Sequence, residues 1–155
     1  MKRLLLIGAA TLVLALGAVA CGGDDDDEEA ATTPAEEPSA ETVEVTAGEY
    51  AFDLSASPAA DTTEITFENA GGEPHNLIFA RINEGFTIED ALEAEGEKGT
   101  AEEIGFTFAK PGEEGKPIEI KEPLELGNYA MVCTVENKDG TPHYELGMQE
   151  EFTIE

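Results

Sequence analysis

The sequence predicts an all-β sandwich or barrel with one short helical insertion. Seven or eight short stretches alternate apolar with polar residues, and Gly, Pro, Asn and Asp turn signals separate them. Only one segment carries helical spacing behind a cap, and no internal repeat is visible. The chain has 155 residues, room for one ordinary domain.

Taken in order, Val43, Val45 and Ala47 alternate with polar neighbours, and Tyr50, Phe52 and Leu54 do the same; both read as half-buried strands. Pro58 and Asp61 mark a turn, and Ile65 and Phe67 form a strand running into the loop signal Asn69-Ala70-Gly71-Gly72. Leu77-Ile78-Phe79 is apolar on both faces, which places that strand centrally. Thr87 with Asp90 three residues on, followed by Ala91, Leu92 and Ala94, predicts a capped helix. Residues 100–104 predict a second helical turn, and Phe106 and Phe108 an extended segment. After the loop over residues 110–115, Ile118 and Ile120 form a strand, and Gly127-Asn128 predicts a turn. Tyr129, Met131 and Cys133 then share one strand face, and Phe152 and Ile154 mark the last strand.

Residues 1–20 stand outside this pattern. Lys2 and Arg3 precede an apolar run over residues 4–16, and Ala18-Val19-Ala20 precedes Cys21. This is the form of an export signal, and the run is shorter than the about 20 residues a membrane span needs. Ala18-Val19-Ala20-Cys21, followed by Gly22-Gly23, resembles a bacterial lipobox, which implies lipidation of Cys21. Residues 21–41 carry a run of six acids, Asp24-Asp25-Asp26-Asp27-Glu28-Glu29, and hold nothing to bury, so they predict a disordered acidic tether. The folded domain is residues 42–155, expected outside the cell and lipid-anchored to the outer face of the cytoplasmic membrane.

That domain carries 26 acids against 6 Lys and Arg. Its charge, about −20, excludes nucleic acid as a partner and favours a protein partner with a basic face. A saline habitat would produce the same acidic surface. Once Cys21 is assigned to the lipid, Cys133 is the one cysteine left, so no disulfide framework exists. A lone thiol in an oxidising compartment is either core or a metal ligand.

Both histidines follow proline, as Pro74-His75 and Pro142-His143. His75 enters a strand from a Gly-rich loop, Cys133 ends a strand, and His143 and Met148 lie between that strand and the last one. Glu68-Asn69-Ala70-Gly71-Gly72-Glu73-Pro74-His75-Asn76 resembles the first-histidine loop of the plastocyanin-type cupredoxins. Residues 127–134 resemble their cysteine strand, and residues 142–148 their second-histidine and methionine loop. The resemblance implies a cupredoxin-like Greek-key β-sandwich with one mononuclear type 1 copper. His75, Cys133 and His143 would be its equatorial ligands and Met148 the weak axial one. Soft sulfur donors with two imidazoles independently suit copper. By the same resemblance, Asn76 and Thr134 tie the two ligand loops together, and electrons leave through a solvent-facing edge of His143 framed by Pro142, Tyr144 and Leu146. Two departures stand out. Nine residues separate Cys133 from His143, with Asn137-Lys138-Asp139-Gly140 as an inserted turn, and Glu73 is an extra residue before Pro74.

The function expected is one-electron transfer with a redox partner protein, and no enzymatic activity: two histidines are too few for a multicopper oxidase, and no serine–histidine arrangement is present. The alternatives are a copper storage or delivery module using the same ligands, and a metal-free binding lipoprotein. Met131, lying mid-strand, is read as core.

Overall fold

A computed structural model describes residues 41–94 and 99–155. The signal peptide, Cys21 and the tether up to residue 40 lie outside the described residues. The described chain runs β1 (Thr42–Ala47), β2 (Phe52–Leu54), β3 (Glu64–Asn69), β4 (His75–Ile82), α1 (Ile88–Glu93), β5 (Ala101–Ala109), β6 (Ile118–Glu119), β7 (Gly127–Val132) and β8 (Gln149–Ile154). A 3₁₀ turn, His143–Leu146, precedes β8.

Eight strands form two four-stranded sheets, in the orders β2-β1-β3-β6 and β5-β4-β7-β8. In β1, Val43, Val45 and Ala47 are buried while Thr42 and Glu44 face water, as the alternation predicts. Facing them across the sandwich are Leu77 and Phe79 of β4 and Tyr129 and Met131 of β7, all in one core cluster. The rings of Phe79, Tyr129 and Phe152 stack with centroids 5.6 to 6.1 Å apart, a spacing at which aromatic pairs add to simple burial.

β4 is central in its sheet, between β5 and β7, and both its faces are covered. Its outer face packs Ile78 and Ile82 with Ala130 and Val132 against Ile88, Ala91 and Leu92 of α1. The helix starts where its cap predicts: Thr87 Oγ1 accepts from Asp90 N at 3.2 Å, and Thr87 N donates to Asp90 Oδ2 at 2.8 Å. The insertion therefore lies over the outer face of the second sheet, leaving beside it a groove of about 590 Å³ that reaches Thr134 and Tyr144.

Three local expectations are corrected. Residues 100–104 do not start a helix; Ala101 opens β5, which pairs with β4 from Ala101–Ile82 to Ala109–His75. Ala-Glu-Glu-Ile suits a helix locally, but the open edge of β4 supplies a ladder that a single isolated turn does not. Gly127 and Asn128 are strand, paired with Ile154 and Thr153; Gly127 enters β7 at φ 146°, which glycine tolerates. Tyr50 is not in β2 but sits at φ 61° in the bend before it. Phe106 and Phe108 are extended as predicted, yet they are 53% and 45% exposed, because Thr107 and Ala109 take the inward positions.

Phe79→Ala should lower unfolding free energy by about 3–5 kcal/mol, whereas Phe106→Ala should change it by less than about 1 kcal/mol. Urea denaturation of the two variants checks this; equal losses would contradict the core assignment.

Candidate metal centre

The site grows from the end of a strand pair. β4 and β7 run antiparallel with Ile78 opposite Val132, so two residues further on Asn76 comes opposite Thr134. There the ladder is closed by a side chain. Asn76 Oδ1 accepts from Thr134 N at 2.9 Å, and Asn76 Nδ2 donates to Thr134 Oγ1 at 2.9 Å. These two bonds join the residue that follows His75 to the residue that follows Cys133. The backbone N–H of Asn76 also points at Cys133 Sγ, 3.4 Å away. His75 and Cys133, the neighbours of these two residues, are thereby held side by side.

The long segment from Cys133 to His143 closes on itself. Asn137 accepts at Oδ1 from the N–H groups of Asp139 and Thr141, Asn137 N donates to Thr141 O, and Glu136 bridges to Pro142. The result is a small hairpin whose ends meet: His143 N donates to Val135 O at 2.8 Å and Tyr144 N to Cys133 O at 2.9 Å. The insertion thus projects outward and does not separate the two donors. Met148 is bound on both sides, its N–H to His143 O at 3.0 Å and its carbonyl to Cys133 N at 3.1 Å.

His75, Cys133, His143 and Met148 are all fully buried. His75 Nδ1 lies 3.0 Å from His143 Nδ1, and Cys133 Sγ lies 3.8 and 3.5 Å from those two atoms. Among the described residues this is the one group of three or more His, Cys, Asp or Glu side chains whose donor atoms converge. A first-row ion bound at about 2.0 Å to nitrogen and about 2.3 Å to sulfur would set nitrogens about 3.4 Å apart and nitrogen and sulfur about 3.6 Å apart. The donor spacing therefore fits one such ion with little movement. Two imidazoles, a thiolate and a thioether are the donors of a single type 1 copper.

Electrostatics prepare the donors. Burial pushes the Cys133 thiol up, opposed by backbone N–H groups of Asn76 and Val135 aimed at the sulfur. Burial, and next His143 beside it, hold His75 below its ordinary value, which favours the neutral imidazole that a metal ligand must be. Metal uptake must displace the thiol proton.

A cover formed by residues 48–51 and 69–73 lies over the histidines. Asn69, fully buried, donates from Nδ2 to Glu73 O and Ala109 O and accepts at Oδ1 from Gly71 N, shaping the first-histidine loop. At Gly71 a Cβ would sit 2.8 Å from His75 Nε2 and 2.9 Å from Gly48 O, so no side chain fits there. The Tyr50 ring meets His143 edge-on, centroids 4.9 Å apart, and its hydroxyl donates to Glu73 Oε2 at 3.0 Å. Glu73 in turn raises the Tyr50 phenol above its ordinary value. Glu73 Oε2 lies 3.4 Å from His143 Nε2.

This corrects the expected exit route. His143 has no solvent-facing edge: it is fully buried, under Tyr50 and Glu73. Tyr50, Glu73 and Asn69 are the site residues that sequence reasoning missed. Tyr50 mimics a strand position, and Glu73 registers in the sequence only as added length; the one signal available was that the extra residue is an acid directly before Pro74-His75. Met131 lies in the core, as read. Among the described residues no helix is long and apolar enough to cross a membrane.

No protein-family model matches the chain, and no curated protein matches it. Solved structures do. Reduced auracyanin from the photosynthetic bacterium Roseiflexus castenholzii superposes with a TM-score of 0.56 at 22% identity, over 76% of this chain and 99% of that one. Auracyanin A, a "blue" copper protein from the green thermophilic bacterium Chloroflexus aurantiacus, gives 0.52 at 26% identity, over 74% and 98%. The described domain has the cupredoxin fold, in agreement with the resemblance carried by its loops.

A folded-state value for His75 below about 6.5 means that the unfolded chain binds a proton the fold excludes. Unfolding free energy should therefore rise with pH through the window beneath about 6.5 and be lost as pH falls through it. Urea midpoints of the metal-free protein at several pH values, compared with His75→Gln, check this; an equally steep slope in the variant would assign it elsewhere.

Proposed function

We propose that this protein binds one copper ion through His75, Cys133, His143 and Met148 and passes single electrons at the extracytoplasmic face of a membrane. The observation that carries the reading is the convergence of two imidazole nitrogens and one thiol sulfur, all fully buried, within 4.8 Å of one another. The likeness to auracyanin A, described as a blue copper protein, supports it.

The copper supplies a one-electron couple, and the chain's own residues do the rest. His75 and Cys133 are held by the Asn76–Thr134 closure, and His143 and Met148 by backbone bonds to Val135 and Cys133. Donors fixed this way have little freedom to rearrange when the charge at the centre changes. Burial excludes water from the donors, and water would otherwise add ligands and reorganise with each electron. The same enclosure favours electron transfer over storage or delivery, since exchange of the ion requires the cover to open. The acidic domain surface fits a redox partner with a basic docking face, and Cys21, as a lipid-bearing terminus after cleavage of residues 1–20, fits a membrane-tethered carrier.

The copper(II)-loaded protein should show an intense visible band from thiolate-to-copper charge transfer and a matching electron paramagnetic resonance signal. Cys133→Ser should abolish both. A colourless protein would sink the reading and leave a metal-free binding lipoprotein.

A further inference from the structure

Resting on the reading of His143 as a copper ligand, we propose that Glu73 is a positioning residue for that ligand and a fixed negative charge at the centre. Tyr50 is the residue that holds it there. His143 Nδ1 faces Cys133 Sγ and His75 Nδ1, so a metal bound there needs the Nδ1 lone pair and the ring proton must reside on Nε2. His143 Nε2 is buried and has no satisfied hydrogen bond, and an orphaned buried N–H is costly to leave unpaired. The acceptor in reach is the Glu73 carboxylate, at 3.4 Å. That is longer than a good N–H···O bond, typically about 2.9–3.0 Å, and a shift of a few tenths of an ångström completes it. A carboxylate accepting from the far nitrogen of a ligand histidine fixes its tautomer and orientation and raises its basicity.

Independent features show that Glu73 is set in place. Its backbone carbonyl accepts from Asn69 Nδ2 at 2.9 Å, and Oε2 accepts from the Tyr50 hydroxyl at 3.0 Å. Tyr50 is the one non-glycine residue at positive φ among the described residues, at 61°. Such a backbone is strained in a bulky residue and persists where its surroundings demand it. What holds it here is the ring against His143 and the hydroxyl on Glu73. The Glu73 side chain is only 29% exposed, so solvent screens its charge incompletely, and that charge favours the more highly charged copper(II) over copper(I).

The test uses Glu73→Gln, which keeps an acceptor oxygen and removes the charge, Glu73→Ala, which removes both, and Tyr50→Phe, which removes only the hydroxyl's hold. Nitrogen NMR of the metal-free protein reads the His143 tautomer without any copper. Wild type should hold the proton on Nε2, Gln should largely keep it there, and Ala should give a mixture. Copper affinity should fall about 10–100-fold in Ala, less in Gln, and least in Tyr50→Phe. The midpoint potential should shift upward in both Gln and Ala. An unchanged tautomer in Ala, or a potential equal to wild type in Gln, overturns the role of Glu73. Failure of wild type to bind copper is a separate result that overturns the ligand reading. If Ala does not fold, the near-isosteric Gln carries the test through its potential.

Discussion

The antiparallel ladder between β4 and β7 ends at Ile78 opposite Val132, and the chemistry of the molecule is built in the few residues beyond that end. Asn76 and Thr134 continue the register with side-chain bonds in place of backbone ones, leaving His75 and Cys133 on adjoining positions. A slip of one residue would turn Cys133 from the core face it shares with Tyr129 and Met131 to the face of Ala130 and Val132. That face packs on α1, opposite the core face on which Leu77 and Phe79 lie. What prevents the slip is burial on both sides: the stacked rings of Phe79, Tyr129 and Phe152 within the sandwich, and Ile88 of the helix outside it.

The second half of the site depends on the first. His143 and Met148 lie on a segment with no ladder of its own, and they are placed by backbone bonds to Cys133 and Val135, whose positions β7 has already set. This explains how an insertion between Cys133 and His143 leaves the donor spacing intact. The added residues spend their hydrogen bonds on one another around Asn137, so the points of entry and exit, Val135 and His143, still meet. Loop length and donor geometry are uncoupled because closure is local.

Much of this was legible in the sequence, for definable reasons. The strands β1 and β3 bury one face against a fixed partner, so their alternation is visible in Val43, Val45, Ile65 and Phe67. The capping box of Thr87 and Asp90 is a purely local device. The donors could be picked out because His75, Cys133 and His143 leave the domain no other histidine or cysteine to consider. What failed depends on partners distant in the chain. Residues 101–104 are strand because β4 has an open edge, not because of their own preferences. Gly127 and Asn128 resemble a turn but are captured by β8. Tyr50 has the spacing of a strand residue, and its conformation is dictated by Glu73 and His143, 23 and 93 positions away.

The cover built from Tyr50 and Glu73 changes what the fold implies for function. An exposed ligand edge lets a partner dock directly over the metal. Here the equivalent imidazole is fully buried, so a partner arriving on that side meets Tyr50, Glu49 and Glu73, an aromatic ring flanked by carboxylates. Glu49 is itself drawn into the cover, its Oε1 accepting from Gly72 N at 2.6 Å. An acidic collar of this kind repels acidic partners and attracts basic ones at long range. At contact, the Tyr50 ring lies against the His143 ring, with no solvent layer between them. The acidity of the whole domain and the local architecture of the site thus act in the same direction. On the proposed reading, the general charge would draw a basic partner near, and the loops that shield the donors from water would also be the surface that partner touches.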